Sequence, residues 1–375
     1  MFLSERLFGV LIYSFILFSV YLMIYSSQNK NLGKILLVYT FLLSLMGFFF
    51  TPNPGSDLYR IIPIMNLYAS YNFKEIIDLS IESNTAFALI YLHLIGKTGV
   101  ASLLPAITAF IVFTNIFYII KKAAQKYSIN SGNTALVLFF TMSTGFFIEA
   151  ISGIRTVLAF SIVAICFYKE IEEKKLIIKN LVWYFIASLI HPIALFIVLL
   201  RFLFIILQRE KHTINRLLSI LLSFLFVLTL YLFGNIYIDS MILKAQDYFR
   251  TNRYSYFWEY LLGVLSLFTI TLTQIIMFGI NRKSKITDNV INIYRFSVLI
   301  SVICIVVMVE YNTFHRMVIF NIMLSIPLFI YTLNTKKFSG KNKLYYKFFL
   351  ILISLIMLLI ASSRGNLSSL KFFII

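Results

Sequence analysis

Glu149-Ala-Ile-Ser-Gly-Ile-Arg-Thr-Val-Leu-Ala159 sets a carboxylate and a guanidinium between two apolar runs, each too short for a comfortable membrane crossing. The stretch predicts a hairpin whose tip is sunk below the outer membrane surface. The flanking runs are 134–150 and 155–168, and a second short pair, 177–191 and 192–207, meets at His191-Pro192. A helix of about 15 residues covers ~22 Å of a ~30 Å hydrocarbon core. Polar groups at that depth persist only against protein or a water-filled cavity, so Glu149, Arg155 and His191 are expected to line one recess.

Of 375 residues, 60% are hydrophobic and 13% charged, so nearly every stretch long enough to form a helix is also apolar enough to sit in lipid. The composition predicts an all-α, polytopic integral membrane protein, with residues 1–375 as a single transmembrane domain. It excludes a disordered chain, a soluble multidomain enzyme and, despite a formal charge of +18, a nucleic-acid binder. Cys166 and Cys304 both fall in apolar runs and suit small core residues better than a disulfide or thiolate metal site.

Hydropathy places spans at 7–25, 35–50, 100–120, 134–150, 155–168, 177–191, 192–207, 216–234, 258–280, 290–309, 316–333 and 345–361, which makes about twelve crossings. No small-residue cleavage site follows the first, which is therefore read as a retained helix. Residues 51–83 are too polar to cross, and 84–97 is apolar but too short, a re-entrant or interfacial half-helix; together 51–99 form a first long extracytoplasmic loop. A second is 235–257.

Basic residues near span ends resist translocation. With the N-terminus outside, the six inner loops carry 20 of the 33 basic residues and the outer segments 11, while Arg201 and Arg295 lie within spans near inner ends, where they could snorkel. Promoting 84–97 to a full span would throw Lys121, Lys122 and Lys126 outside. Both termini are therefore expected outside. The inner set holds 17 Lys and 3 Arg, the outer set 7 Arg and 4 Lys. Either small-number chance on a Lys-rich background produces that swap, or the outer face binds an anion that Arg grips in two places.

The remaining polar candidates keep two meanings. His191 before proline is a recess ligand or a turn residue. Glu149 and Arg155 face a substrate or pair with each other. A single kinked helix over 177–207 is disfavoured because it would separate the basic loops on either side of it. Glu310-Tyr-Asn-Thr-Phe-His315-Arg316 forms a polar turn before the eleventh span, and the loop 235–257 brings Arg250 and Arg253 beside aromatic residues that suit either sugar rings or a membrane interface.

Asp57-Leu-Tyr59-Arg60, Gly153-Ile-Arg155-Thr-Val-Leu-Ala159 and Ala187-Ser-Leu-Ile-His191-Pro-Ile-Ala194, in this order and spacing, resemble the EpsG family of Wzy-like polysaccharide polymerases, over about 40–330. Family members often carry Gln after the arginine and Ser after the histidine, where this chain has Thr156 and Pro192. The resemblance implies an enzyme of the bacterial cytoplasmic membrane, GT-C-like in architecture, with its active site on the outer face. It would join undecaprenyl-diphosphate-linked oligosaccharide repeat units, with membrane lipid, a chain-length regulator and a flippase as partners. Such glycosyl transfer needs two positioned substrates, charge stabilisation on the departing diphosphate and one proton acceptor. Asp57, Glu149, His191 and His315 are the candidate bases or acceptor-sugar ligands; Arg60, Arg155, Arg250, Arg253, Arg316, Tyr59 and Glu310 are the candidate diphosphate or sugar ligands. No metal-ligand spacing or Gly-rich phosphate loop is visible, so no metal or nucleotide cofactor is expected. Two alternatives stay open, another lipid-linked sugar transferase or ligase and a non-enzymatic exporter; the sparse acids of the Lys-rich inner loops favour an outer-face enzyme over a carrier.

Overall fold

The computed structural model describes residues 2–27, 31–54, 56–81, 83, 85–127, 130–172, 177–207, 217, 220–221, 257–283, 287–338, 340–363 and 370–371. The described chain is helical, without a strand. In order, the helices are α1 (Phe2–Ser26), α2 (Leu32–Phe48), α3 (Asp57–Ser70), α4 (Phe73–Ile81), α5 (Ala86–Gly96), α6 (Leu103–Lys126), α7 (Ser131–Ser143), α8 (Phe146–Ser152), α9 (Ile154–Glu172), α10 (Leu181–Ile190) and α11 (Pro192–Leu207). They continue as α12 (Phe257–Lys283), α13 (Asp288–Val306), α14 (Tyr311–Asn334) and α15 (Gly340–Ser363). Helix is the only open-ended way to satisfy every backbone group in hydrocarbon. By length and composition, α1, α6, α12, α13 with the 3₁₀ turn after it, α14 and α15 can each cross a membrane. Eleven of the twelve expected crossings fall on a described helix or, for 134–150, on a bent pair. The twelfth, 216–234, lies largely outside the described residues, as does nearly all of the loop 235–257 with Arg250 and Arg253.

Helix α14 is the axis. It is apolar on almost every side, which suits a helix enclosed by others. Helices α6, α7, α9, α12 and α13 all pack on it. Close approach to α12 depends on Gly263, where an added Cβ would stand 2.9 Å from the Phe314 ring. Midway along, Gln274 of α12 donates to Ser297 and Ser301 of α13 at 2.8 and 2.9 Å, and Asn321 of α14 donates to Ser301 at 2.8 Å. Ser297 donates to Asn321 Oδ1 at 3.0 Å and lies 2.8 Å from the Ser325 hydroxyl. Where lipid offers no hydrophobic drive between helices, such buried side-chain hydrogen bonds hold them together.

The bundle has two unlike ends. At one, Asn133 Nδ2 donates to Leu333 O at 3.2 Å and Asn334 Oδ1 at 3.0 Å, and Lys126 and Tyr127 bind the buried Glu172 carboxylate. Arg201 Nε lies 3.3 Å from Glu170 Oε2, with both side chains 3% exposed, and Asn180 Nδ2 donates to Glu170 Oε1 at 3.3 Å. Arg201 therefore does not snorkel. It is enclosed, with its guanidinium 4.8 Å from the Phe167 ring centre. Because Glu170 reaches both Asn180 and Arg201, and Tyr184 meets Phe202 edge to face, α10 and α11 form a hairpin that turns at His191. The kinked-helix alternative is excluded.

Four further expectations change. Residues 134–150 are two helices bent by 54° at Gly145, whose φ of +79° is a left-handed conformation that costs glycine nothing. The run 155–168 is longer than its hydropathy implied: α9 continues for 19 residues, ~28 Å, because the buried Glu170 and Glu172 find cationic partners in Arg201 and Lys126 and need not leave the helix. The polar segment 51–83 folds as α3 and α4, with Ser56 capping α3 through Tyr59 N–H. Helix α5, at 11 residues or ~16 Å, is half a span and packs on α3 and α4. The polar turn before the eleventh span shrinks to its first residue, since α14 already begins at Tyr311.

Candidate active site

The end opposite Arg201 collects the chemistry. Gly145 redirects the chain so that α8, only seven residues long, presents Glu149 to the first turns of α14. Glu149 Oε1 lies 3.1 Å from His315 Nε2, with the two side chains 22% and 14% exposed. The contact is a close approach that lacks the geometry of a hydrogen bond. On its other side the imidazole stacks on Tyr311, one helical turn earlier, with ring centres 5.5 Å apart and planes 22° apart. The Glu149 side chain folds back over Gly153: a Cβ there would sit 3.1 Å from Glu149 O and 3.4 Å from Oε2. Glycine at 153 is thus what leaves the carboxylate room.

A second carboxylate stands nearby. Glu259, half-buried in the first turn of α12, lies within electrostatic reach of both His315 and Glu149. Sequence reasoning passed over it because it adjoins Trp258, which reads as an interface anchor. The available signal was an acid inside a span, which lipid does not tolerate without a partner or a task. Among the described residues no three His, Cys, Asp or Glu side chains converge closely enough to hold a metal.

Arg155 is exposed in the first turn of α9, and Arg316, half-buried, follows His315 directly; neither forms an ion pair among the described residues. The suggested Glu149–Arg155 pair does not form; Glu149 contacts His315 instead. His191 lies at the end of the bundle that holds Arg155, because α9 and α10 run antiparallel. It is extended, at φ −150°, and its Nδ1 accepts the Ile193 N–H at 3.2 Å, which is the turn role. Both Glu310 oxygens accept backbone N–H groups, from Asn312 at 2.9 Å and Thr313 at 2.6 Å, so its carboxylate caps α14. Asp57 pairs with Arg60 on the exposed side of α3, next to exposed Tyr59, and α3 touches α8. The structure therefore brings Glu149 and His315 together and adds Glu259. Arg155 and Arg316 form no ion pair among the described residues, and Glu310 and His191 have local structural partners.

An all-helical membrane protein with a carboxylate–imidazole contact at one end, beside two arginines that form no ion pair among the described residues, has parts suited to acid–base chemistry on an anionic substrate. Residues 34–373 match the model of the EpsG family, and the chain belongs to that family. The family is related to Wzy-like polysaccharide polymerases, which points to a polymerase-type, glycosyltransferase-like role in exopolysaccharide biosynthesis. No curated protein and no solved structure matches the chain.

Proposed function

We propose that this protein polymerises oligosaccharide repeat units carried on undecaprenyl diphosphate at the outer face of the bacterial cytoplasmic membrane, after a flippase has delivered them there. The observation that carries this reading is the Glu149–His315 pair set at the same end as two arginines without acidic partners among the described residues. In the proposed step an acceptor-sugar hydroxyl attacks the anomeric carbon of the donor. Its proton passes to the Glu149 carboxylate, the bond from the anomeric carbon to the diphosphate oxygen breaks, and the electron pair leaves with the diphosphate. His315 holds Glu149 in place. Arg155 and Arg316 take up the charge that grows on the leaving group, a task suited to planar guanidinium. A positioned base contributes about 10²–10⁴-fold, and a preorganised charge-stabilising donor about 10²–10³-fold.

The test uses purified protein in detergent with a lipid-diphosphate oligosaccharide, where no transport is possible. Chain extension is expected, Glu149→Gln should lower it by about 10²-fold or more, and Arg155→Lys and Arg316→Lys should each lower it while membrane protein levels hold. Absence of extension by the folded protein would retire the polymerase reading, and full activity of both lysine variants would retire the diphosphate fork. In cells, deletion should leave single repeat units on the outer leaflet. Units trapped only on the cytoplasmic leaflet would instead identify a carrier.

A further inference from the structure

At the end of the bundle remote from Glu149, α1, α7 and α15 enclose a cavity of about 430 Å³. Leu22, Leu136, Phe348 and Ile351 supply apolar walls, and Asn130, Tyr25 and Lys347 stand among them as polar groups. The cavity opens sideways onto surface that is itself apolar, since Leu22, Leu344 and Phe348 are each more than 60% exposed. Gly132 shapes it: a Cβ there would lie 3.0 Å from the Tyr25 ring, so glycine lets the ring lie close against the start of α7.

Its charge is one-sided. Lys347 follows Lys343 by one helical turn, close enough for the two ammonium groups to repel. Lys343 Nζ donates to the Thr335 carbonyl at 2.8 Å, no acidic side chain lines the cavity, and neither lysine forms an ion pair among the described residues. Two uncompensated cations above an apolar slot open to lipid select an amphiphile with an anionic head. We propose that this cavity binds one anionic phospholipid, its phosphate between Lys343 and Lys347 and an acyl chain along α15 past Phe348 and Ile351. A lysine stem that lies along apolar surface while its ammonium reaches the headgroup level suits this arrangement. The site is independent of the polymerase reading.

Native mass spectrometry of the full chain in detergent, titrated separately with phosphatidylglycerol and phosphatidylcholine, tests it. Tighter retention of phosphatidylglycerol is expected, weakened about fivefold by Lys347→Gln and about thirtyfold by Lys343→Gln with Lys347→Gln. Leu344→Trp, at an exposed position on the rim, should block the slot without altering charge or core packing. Equal retention of the two lipids by the wild-type chain overturns the proposal. So does an equal loss in Lys337→Gln, an exposed lysine at the same end outside the cavity, or undiminished binding in Leu344→Trp.

Discussion

Arg201→Met tests whether the Glu170–Arg201 contact is a true ion pair locking α11 to α9. Both side chains are 3% exposed and 3.3 Å apart, so methionine leaves a carboxylate stranded among Phe167, Tyr184 and Phe202. Stranding one partner of a buried pair costs about 3–5 kcal/mol. Losing the guanidinium from the Phe167 and Phe204 faces, at 4.8 and 5.8 Å, adds roughly 0.5–2 kcal/mol. Methionine keeps most of the volume, so little of the loss should come from a cavity. Glu170→Gln alone strands the cation and should cost a similar 3–5 kcal/mol. Together the two substitutions leave no buried charge, and the amide can still take the Asn180 hydrogen bond. The double variant should recover at least ~2 kcal/mol relative to the sum of the singles. Equilibrium unfolding in mixed micelles, checked for reversibility, measures the cycle. A coupling below about 0.5 kcal/mol would mean that Glu170 is already neutral and that the contact is an ordinary hydrogen bond.

Gly145→Ala forces a side chain into φ +79°, costing about 1–2 kcal/mol, and should lower polymer synthesis more than protein level because it re-aims α8 and Glu149; unchanged synthesis would count against the bend as a positioning device. Glu310→Asp should preserve the α14 cap and the activity, whereas Glu310→Ala should lose about 1 kcal/mol of stability. Inactivity of a stable Glu310→Asp protein would give that carboxylate a substrate role instead. Asn321→Leu should cost about 1–2 kcal/mol by opening the network that joins α12, α13 and α14, measurable as a lower unfolding midpoint in detergent, and no shift would mean the network is incidental. Single cysteines at Asn66 and Lys74 should react with an impermeant thiol reagent in intact cells, and ones at Gln125 and Lys337 should not, against a silent background because Cys166 and Cys304 are buried. Labelling at 125 from outside would reverse the proposed orientation.

Much of the fold was legible because hydropathy acts locally. The half-helix ending at Gly96 and the reversal at His191-Pro192 follow from run length and from a proline that cannot continue the preceding helix. The break at Gly145 was hidden inside a continuous apolar run, where only the backbone angle distinguishes a hinge from a helical glycine. The extra turn of α9 was equally hidden, since Glu170 and Glu172 read as loop acids until Arg201 and Lys126 arrive beside them. At the candidate site, the depth argument drew attention to Glu149, but its partner His315 is 166 positions away, and no local pattern encodes that meeting. The carboxylate of Glu310 looked chemical and is taken up by two backbone N–H groups, a cap whose only sequence sign is its place before a long apolar helix.

The hydrogen-bonded belt around the middle of α14 bears on how this bundle can move. A machine that opens alternately to either side would have to part α14 from α12 and α13 once per cycle. Each time, it would break the three contacts that Asn321 and Ser325 make with Ser297 and Ser301, in a place where no water replaces them. At roughly 0.6 kcal/mol per bond the toll is about 2 kcal/mol, before the lost packing of Phe314 on Gly263 is counted. A reaction confined to one end needs no such parting. On the proposed reading the axis can stay closed through every turnover, with the chemistry kept at the Glu149 end of the bundle.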